Sequence, residues 1–586
     1  MANPAQQKKA DSDMTLQSVS VALVGSGGAG VMTAGQMLLE AASKAGYYGM
    51  MTRSSGPQIR GGEAAAYVRI GSVPITGPSD SFDVLIAVDW QNVNRFVAEL
   101  PLTAKSVVLT DPEQGDMPDA IAKSGAAIVD FPMKAMAEGI KGGRANMLAL
   151  GVVGHLFNLP LEAIEAVVGE SLKHKGADAI KSSSDCIRAG AATAEPMTMR
   201  YPLEPAKSGF ASRWNVSGNE AAGYGVVQGG ARFCAAYPIT PGTEILEWLA
   251  PNLAKIGGTL VQAEDELASI NMIIGASFGG VPSVTATSGP GLALMTESLG
   301  LAVASETPIV VVDVMRGGPS TGIPTKSEQS DLNIACYGLH GDAPHVVTAA
   351  NAIDDCLVTG QWSMHLAESL QTPVIMLSDQ MLGQSRAVVD QPKTVNFNTK
   401  RLTPSPLDLA KGGYKRYADT PSGVSPMAVP GMAGGEYTAD GLEHAESGTP
   451  SSADTDHSKQ LNKRKRKLEQ FDFGELWADV EGEGSVAVVT WGSATGPVRE
   501  AVARMNAKGK KAKLVSLRLL LPAQPEKLAA ALKGVSKVLV VEQTHDAQFH
   551  KFLRAHYDLP GTVKAFHRPG PLPVRPKEIE TLLDQL

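Results

Sequence analysis

Glu266 is the residue in this sequence best placed to move a proton. It follows Gln262-Ala263-Glu264-Asp265, and Gly275 lies nine positions on. Two further glycine-bearing turns follow apolar runs: Thr285-Ala286-Thr287-Ser288-Gly289-Pro290-Gly291 and Arg316-Gly317-Gly318-Pro319-Ser320-Thr321-Gly322. A carboxyl buried at a helix start can share a proton with a ring nitrogen, because burial disfavours its charged form. Arg316 ends the apolar run Ile309 to Val314, and a planar guanidinium holds a carboxylate through two donors at once. Ser320 and Thr321 add hydroxyl donors beside it. Glu264, two residues earlier, is the second choice for the acid. An isolated glutamate here would ordinarily decorate a helix start, where the dipole favours acids; the neighbouring turns give this one a chemical reading.

Such turns need strands to carry them. Phe233 to Tyr237 reads as a strand leading into Tyr237-Pro238-Ile239-Thr240-Pro241. Its prolines stiffen the turn and hold Thr240 at the strand's carboxyl end, where α/β sheets bind ligands; the bland alternative is a helix N-cap. Earlier, Val19 to Gly25 is followed by Gly25-Ser26-Gly27-Gly28-Ala29-Gly30 and a helical stretch, with further strands at Val84 to Val88 and Ser106 to Thr110. Strands alternating with helices predict a parallel α/β sheet. The glycine turn invites a nicotinamide reading, but the stretch from Tyr47 to Arg53 lacks the acid expected about twenty residues on. Strands at Val486 to Trp491, Lys513 to Ser516 and Lys537 to Val541 build a last α/β region, in which Glu542 and His545 compel no chemistry.

Taken together, the Tyr237–Pro241 turn, Glu266, the Thr285–Gly291 turn and the Arg316–Gly322 turn resemble the alpha subunit of 2-oxoacid:ferredoxin oxidoreductases, in the 2-oxoglutarate type with a fused gamma domain. The resemblance runs from about residue 18 to the C-terminus and is densest in 215–342. It implies a multidomain α/β fold: a tail at 1–17, a gamma domain at 18–194, a linker at 195–212, a thiamine diphosphate pyrimidine-binding domain at 213–386, an extended arm at 387–483 and a transketolase C-terminal-like domain at 484–586. It implies roles as well. Glu266 would protonate the aminopyrimidine ring, with Tyr237, Pro238, Ile239, Gly289 and Pro290 around the cofactor. Thr240, Arg316, Ser320 and Thr321 would hold the substrate, and Gly27, Gly28, Arg53 and Arg60 would approach coenzyme A, though salt bridges within their own domain are the plainer role for both arginines. The implied reaction oxidatively decarboxylates 2-oxoglutarate to succinyl-CoA, or runs in reverse. A pyruvate, branched-chain 2-oxoacid or indolepyruvate enzyme, or a non-catalytic scaffold subunit, are the alternatives. The cation for a distal carboxylate is open among Lys326, His340 and Arg386.

What is missing points to a partner. The chain contains no Gly-Asp-Gly, the motif that holds the cofactor's diphosphate through a divalent metal; Gly341-Asp342-Ala343 is a fragment of it. Its four cysteines, Cys186, Cys234, Cys336 and Cys356, form no CxxC. The resemblance therefore places Mg2+ and a [4Fe-4S] cluster on a separate beta subunit, with ferredoxin as electron acceptor and a dimer of alpha–beta pairs as the assembly.

Composition fits. A chain of 586 residues, 43% hydrophobic, can bury several cores, and a net charge of −8 argues against nucleic acid as a partner. The polar start lacks the apolar core of a signal peptide, and no apolar run reaches a membrane span. With sparse cysteine, this predicts a cytoplasmic protein. The basic run Lys463-Arg464-Lys465-Arg466-Lys467 reads as a solvated helix face, and His444 in Gly441-Leu442-Glu443-His444 as a surface histidine.

Overall fold

A computed structural model describes residues 15–56, 62–207, 213–392, 397 and 399–586. Residues 1–14 of the expected tail lie outside the described residues, as does Arg60. The chain forms two compact units: residues 1–216 with 385–393 and 575–577, and residues 217–384 with 394–574 and 578–586.

The first unit is built on an eight-stranded sheet. Strands β1 (Ser18–Ser26), β4 (Val84–Ala87) and β5 (Val107–Thr110), which the sequence predicts, run parallel with a further strand, β6 (Ala127–Asp130). The other half departs from a parallel plan. β3 (Glu63–Gly71) lies antiparallel to β1, β2 (Tyr48–Ser55) antiparallel to β3, and β14 (Arg386–Asp390) antiparallel to β2, with β7 (Arg213–Ser217) at the edge. The stretch around Tyr47 to Arg53, where no acid ends a second parallel strand, is therefore a hairpin strand. Helix Val31–Lys44 buries Leu38, Leu39 and Ala42 against the sheet, and Ala145–Phe157 buries most of its length.

The second unit carries two sheets. In the larger, the order is β18 (Leu519–Leu521), β12 (Val346–Ala349), β13 (Val374–Asp379), β11 (Val310–Met315), β10 (Ser283–Thr287), β8 (Phe233–Ala236) and β9 (Thr259–Gln262). All pairings are parallel except β12 with β18. Apolar runs such as Val310–Val312 suit strands covered on both faces. The smaller sheet orders β15 (Ala478–Gly482), β17 (Ala512–Leu517), β16 (Val486–Trp491), β19 (Lys537–Glu542) and β20 (Thr562–His567), with only β15 antiparallel.

The described part of the segment between β14 and β15 is mostly without regular structure, yet it is tied down at several points. Arg401 pairs with buried Glu368 and donates to the Ser277 carbonyl, and Tyr414 donates to the Pro426 carbonyl at 2.8 Å. The basic run is not a solvated face. Helix Asp454–Glu469 buries Lys463, Arg464 and Lys467, and both lysines grip Glu306, at 2.5 and 3.0 Å. Nor is His444 on the surface: it is buried and its ring lies 3.7 Å from that of Tyr417. In both places the charge pattern was legible, but its partners come from distant sequence.

Candidate active site

In the larger sheet of the second unit, β11, β10, β8 and β9 are consecutive neighbours. Each leads at its carboxyl end into one of the glycine-, proline- or acid-bearing turns described from the sequence. Parallel pairing therefore gathers Arg316, the Thr287–Gly291 turn, the Tyr237–Pro241 turn and Glu266 along one edge, the place where α/β sheets bind ligands.

Glu266 begins helix Glu266–Phe278, and Asp265 caps that helix by accepting from the Ala268 amide at 2.7 Å. The acids thus divide: Asp265 serves the backbone, Glu264 stands in solvent, and Glu266 turns inward at 7% exposure. Among the described residues its carboxylate receives no hydrogen bond. It packs against helix Gly289–Ala304 at Gly291, where an added Cβ would lie 2.8 Å from Glu266 Oε1 and would collide with Thr287 Oγ1. A carboxylate turned inward with no donor from its neighbours is open to a ligand's donor. Gly275, on the same helix, is exposed with open space about it.

Arg316 is 6% exposed and donates through Nη1 to the Thr240 carbonyl at 2.6 Å, joining the turns after β11 and β8. Its Nε has no partner among the described residues. Burial lowers the pKa of this guanidinium, an effect Asp331 opposes. The Tyr237–Pro241 turn also abuts the Thr287–Gly291 turn, since a Cβ at Gly242 would stand 2.8 Å from the Thr287 carbonyl. Behind it, Asn219 donates to the Pro241 carbonyl and to Glu244, both at 2.8 Å, and Gln384 donates to the other oxygen of Glu244. Tyr237 is exposed, whereas Pro238, Ile239 and Thr240 are half-buried, and Gly289 and Pro290 open their helix half-buried. Ser288 Oγ and Thr285 Oγ1 are buried without partners among the described residues.

Ser320 and Thr321 sit at the exposed tip of the loop after Arg316, not in its buried base. That loop closes where the Gly317 amide donates to the Lys326 carbonyl at 3.1 Å and the Ile323 amide to the Gly317 carbonyl at 2.8 Å. The smaller sheet braces the residues beyond Lys326: Gln329 donates to the Trp491 carbonyl and accepts from the Gln543 amide, and Gln548 donates to the Ser330 carbonyl. Of the candidate distal cations, Lys326 alone shares this loop. Arg386 donates to Asn215 in the first unit, and His340 lies beside Gly300, far along helix Gly289–Ala304.

In the first unit, Gly27 and Gly28 lie in the turn after β1, and Arg53 is half-buried on β2. The turn is occupied from within: Asp89 Oδ2 accepts from the Ser26 amide at 3.0 Å and its hydroxyl at 2.9 Å. That carboxylate closes the Ser26 amide and hydroxyl to a phosphate.

Sequence reasoning gave no role to Asp313, wholly buried, or to Asp331, half-buried. The signal for Asp313 was a lone acid inside the apolar run of β11.

Three family descriptions match the sequence: pyruvate ferredoxin/flavodoxin oxidoreductase over 20–193, the thiamine diphosphate-binding region of pyruvate flavodoxin/ferredoxin oxidoreductase over 224–463, and pyruvate:ferredoxin oxidoreductase core domain II over 484–578. The 2-oxoglutarate oxidoreductase subunit KorA of Mycobacterium tuberculosis is 31% identical over 92% of this chain and 88% of its own. The 2-oxoglutarate synthase subunit KorA of Methanothermobacter marburgensis is 33% identical over 58% of this chain and 90% of its own. In three dimensions, the 2-oxoglutarate:ferredoxin oxidoreductase of Magnetococcus marinus, solved with 2-oxoglutarate, coenzyme A and succinyl-CoA bound, matches with a TM-score of 0.89. That match has 35% identity over 97% of this chain and 99% of the other. The chain belongs to the 2-oxoacid:ferredoxin oxidoreductase family, among its alpha subunits.

Proposed function

We propose that this chain is the alpha subunit of a coenzyme A-dependent 2-oxoglutarate:ferredoxin oxidoreductase, interconverting 2-oxoglutarate and succinyl-CoA plus CO2. The observation that carries this is the buried, donor-less carboxylate of Glu266 beside Gly291, at the same sheet edge as the buried Arg316. The relatives named for 2-oxoglutarate and the neighbour solved with it support the choice of substrate.

Thiamine diphosphate, when bound, supplies the carbon nucleophile and electron sink for decarboxylation. The residues present suit its aminopyrimidine end. Glu266 holds a proton at the ring nitrogen, and the half-buried Pro238, Ile239 and Pro290 exclude water beside it. Arg316 and Thr240, joined by the Arg316 Nη1 bond to the Thr240 carbonyl, hold the 2-oxoacid carboxylate. Ser320 and Thr321 reach it from the loop tip. Gly27, Gly28, Arg53 and Arg60 belong to the coenzyme A side of this reading.

The cofactor's diphosphate, its Mg2+ and a [4Fe-4S] cluster are assigned to a beta subunit bearing Gly-Asp-Gly, with ferredoxin docking on the resulting pair of alpha–beta heterodimers. Exposed apolar side chains on the turns and helices that carry the site support a partner surface: Tyr237, Leu267, Leu294 and Ile323 are each at least 40% exposed. Among the described residues no helix is long and apolar enough to cross a membrane. We assign the complex to the cytoplasm.

The test is anaerobic purification of the full chain with its copurifying subunit, followed by viologen reduction with coenzyme A and one 2-oxoacid at a time. Reduction with 2-oxoglutarate, dependent on the partner, is expected. A folded complex active only with pyruvate, branched-chain acids or indolepyruvate would reassign the substrate, and one inert with all would leave a scaffold subunit.

A further inference from the structure

We propose that Asp313 and Asp331 form a carboxyl pair sharing one proton, and that this pair positions both Arg316 and the Ser288–Gly289 turn for the 2-oxoacid carboxylate. It rests on the function proposed above.

Asp313 lies within β11 between β10 and β13, in register with Thr287 and Leu377, and is wholly buried. Asp331 precedes helix Leu332–Tyr337, at the far end of the loop that Arg316 begins. The two carboxyls are in hydrogen-bonding contact, and neither Asp313 oxygen nor Asp331 Oδ2 meets a donor from any other group among the described residues. Two carboxylates cannot share such a contact when both are ionised, so one must carry the proton. Burial raises Asp313 well above the usual carboxylate range, with Asp331's charge adding to it, whereas Asp331 is pushed up only to about 6. Asp313 therefore holds the proton at neutral pH and donates it to ionised Asp331. The other charged groups facing Asp331 are Arg316, which stabilises its charge, and Glu328, which opposes it.

Asp331 touches both turns that matter. A Cβ at Gly289 would come within 2.5 Å of Asp331 Oδ1, so only glycine lets this carboxylate rest against the first turn of helix Gly289–Ala304, where the helix dipole favours a negative charge. The Ser330 hydroxyl lies 2.6 Å from the Arg316 carbonyl and 3.1 Å from Asp331 Oδ1, bridging the pair to the arginine's backbone. One negative charge is thereby fixed between the helix start and the Arg316 backbone.

The experiment compares Asp313→Leu, Asp313→Asn and wild type in the full complex. Asp313→Leu removes the shared donor and should raise KM for the 2-oxoacid roughly tenfold or more, with kcat changed less. Asp313→Asn keeps one donor and one negative charge, so it should recover most of that loss. In wild type KM should rise at alkaline pH as the shared proton leaves; Asp313→Asn, whose amide cannot ionise, should lack that rise. A native KM in Asp313→Leu, or the same alkaline rise in Asp313→Asn, would overturn the proposal. Should Asp313→Leu fail to fold, the wild type minus Asp313→Asn infrared difference spectrum of the full chain decides: a protonated-carboxyl band at neutral pH supports the pair, and its absence overturns it. That band does not depend on turnover, so failure of the enzymatic reading is distinguishable from failure of the pair.

Discussion

Arg316 donates to the Thr240 carbonyl at 2.6 Å, so the residue assigned to the substrate carboxylate also ties the end of β11 to the turn after β8. A lysine could keep the charge but not the forked geometry that serves carbonyl and ligand together. Arg316→Lys should therefore raise KM for the 2-oxoacid by about tenfold to hundredfold, the range expected for losing a charge-assisted contact. Steady-state kinetics with coenzyme A saturating would show it; an unchanged KM would remove Arg316 from the substrate site.

Glu266→Gln keeps the shape of the side chain but cannot hand over a proton. General acid–base groups contribute about 10²–10⁴-fold, and kcat should fall by that order while the partner subunit still copurifies. Activity near wild type in an assembled complex would assign the proton transfer elsewhere.

Gly291 tests the same contact from the other side. Gly291→Ala would put a methyl 2.8 Å from Glu266 Oε1 and into Thr287 Oγ1, forcing one of them to move. Turnover should drop as it does in Glu266→Gln. Gly275→Ala, on the same helix as Glu266, meets nothing within 4 Å and should stabilise the isolated chain by about 0.5–1 kcal/mol. Chemical denaturation of the two variants, alongside their activities, separates a displaced carboxylate from a general loss of folding.

The difference between what is and is not legible in the sequence is one of locality. The turns after β8, β10 and β11, and the acid after β9, carry their signal in contiguous residues, so strand-then-turn reasoning locates them without knowing which strands are neighbours. Lys463 and His444 mislead because exposure is set by what packs on top. Nothing near Lys463 in sequence announces Glu306, 157 residues away. The β2–β3 hairpin is hidden because the burial of Tyr48–Ser55 alternates only weakly along the strand. Asp313 is visible as an acid in an apolar strand, but its meaning depends on Asp331, which only the fold brings to it.

Glu306 supplies the last prediction. It is fully buried in a left-handed backbone conformation, gripped by Lys463 and Lys467, and the Arg416 guanidinium donates to its carbonyl at 2.8 Å. Burial alone would raise its carboxyl, but Lys467, Lys463 and Arg416 outweigh that and hold it well below the usual range. Lys467, by contrast, is pushed down to about 8 by burial despite its partner. The acid is thus the scarce member of the cluster. Glu306→Gln leaves buried cations uncompensated and should cost about 3–5 kcal/mol, whereas Lys467→Met leaves Glu306 with Lys463 and Arg416 and should cost less. A carboxyl depressed in the folded state stabilises at neutral pH, and that contribution is lost as pH falls below its ordinary value near 4.5. Denaturation midpoints of wild type should fall steeply with acid below that value, and Glu306→Gln should show a shallower acid limb. Equal limbs, or a larger loss in Lys467→Met than in Glu306→Gln, would show that the helix Asp454–Glu469 is held by its apolar contacts rather than by this buried charge.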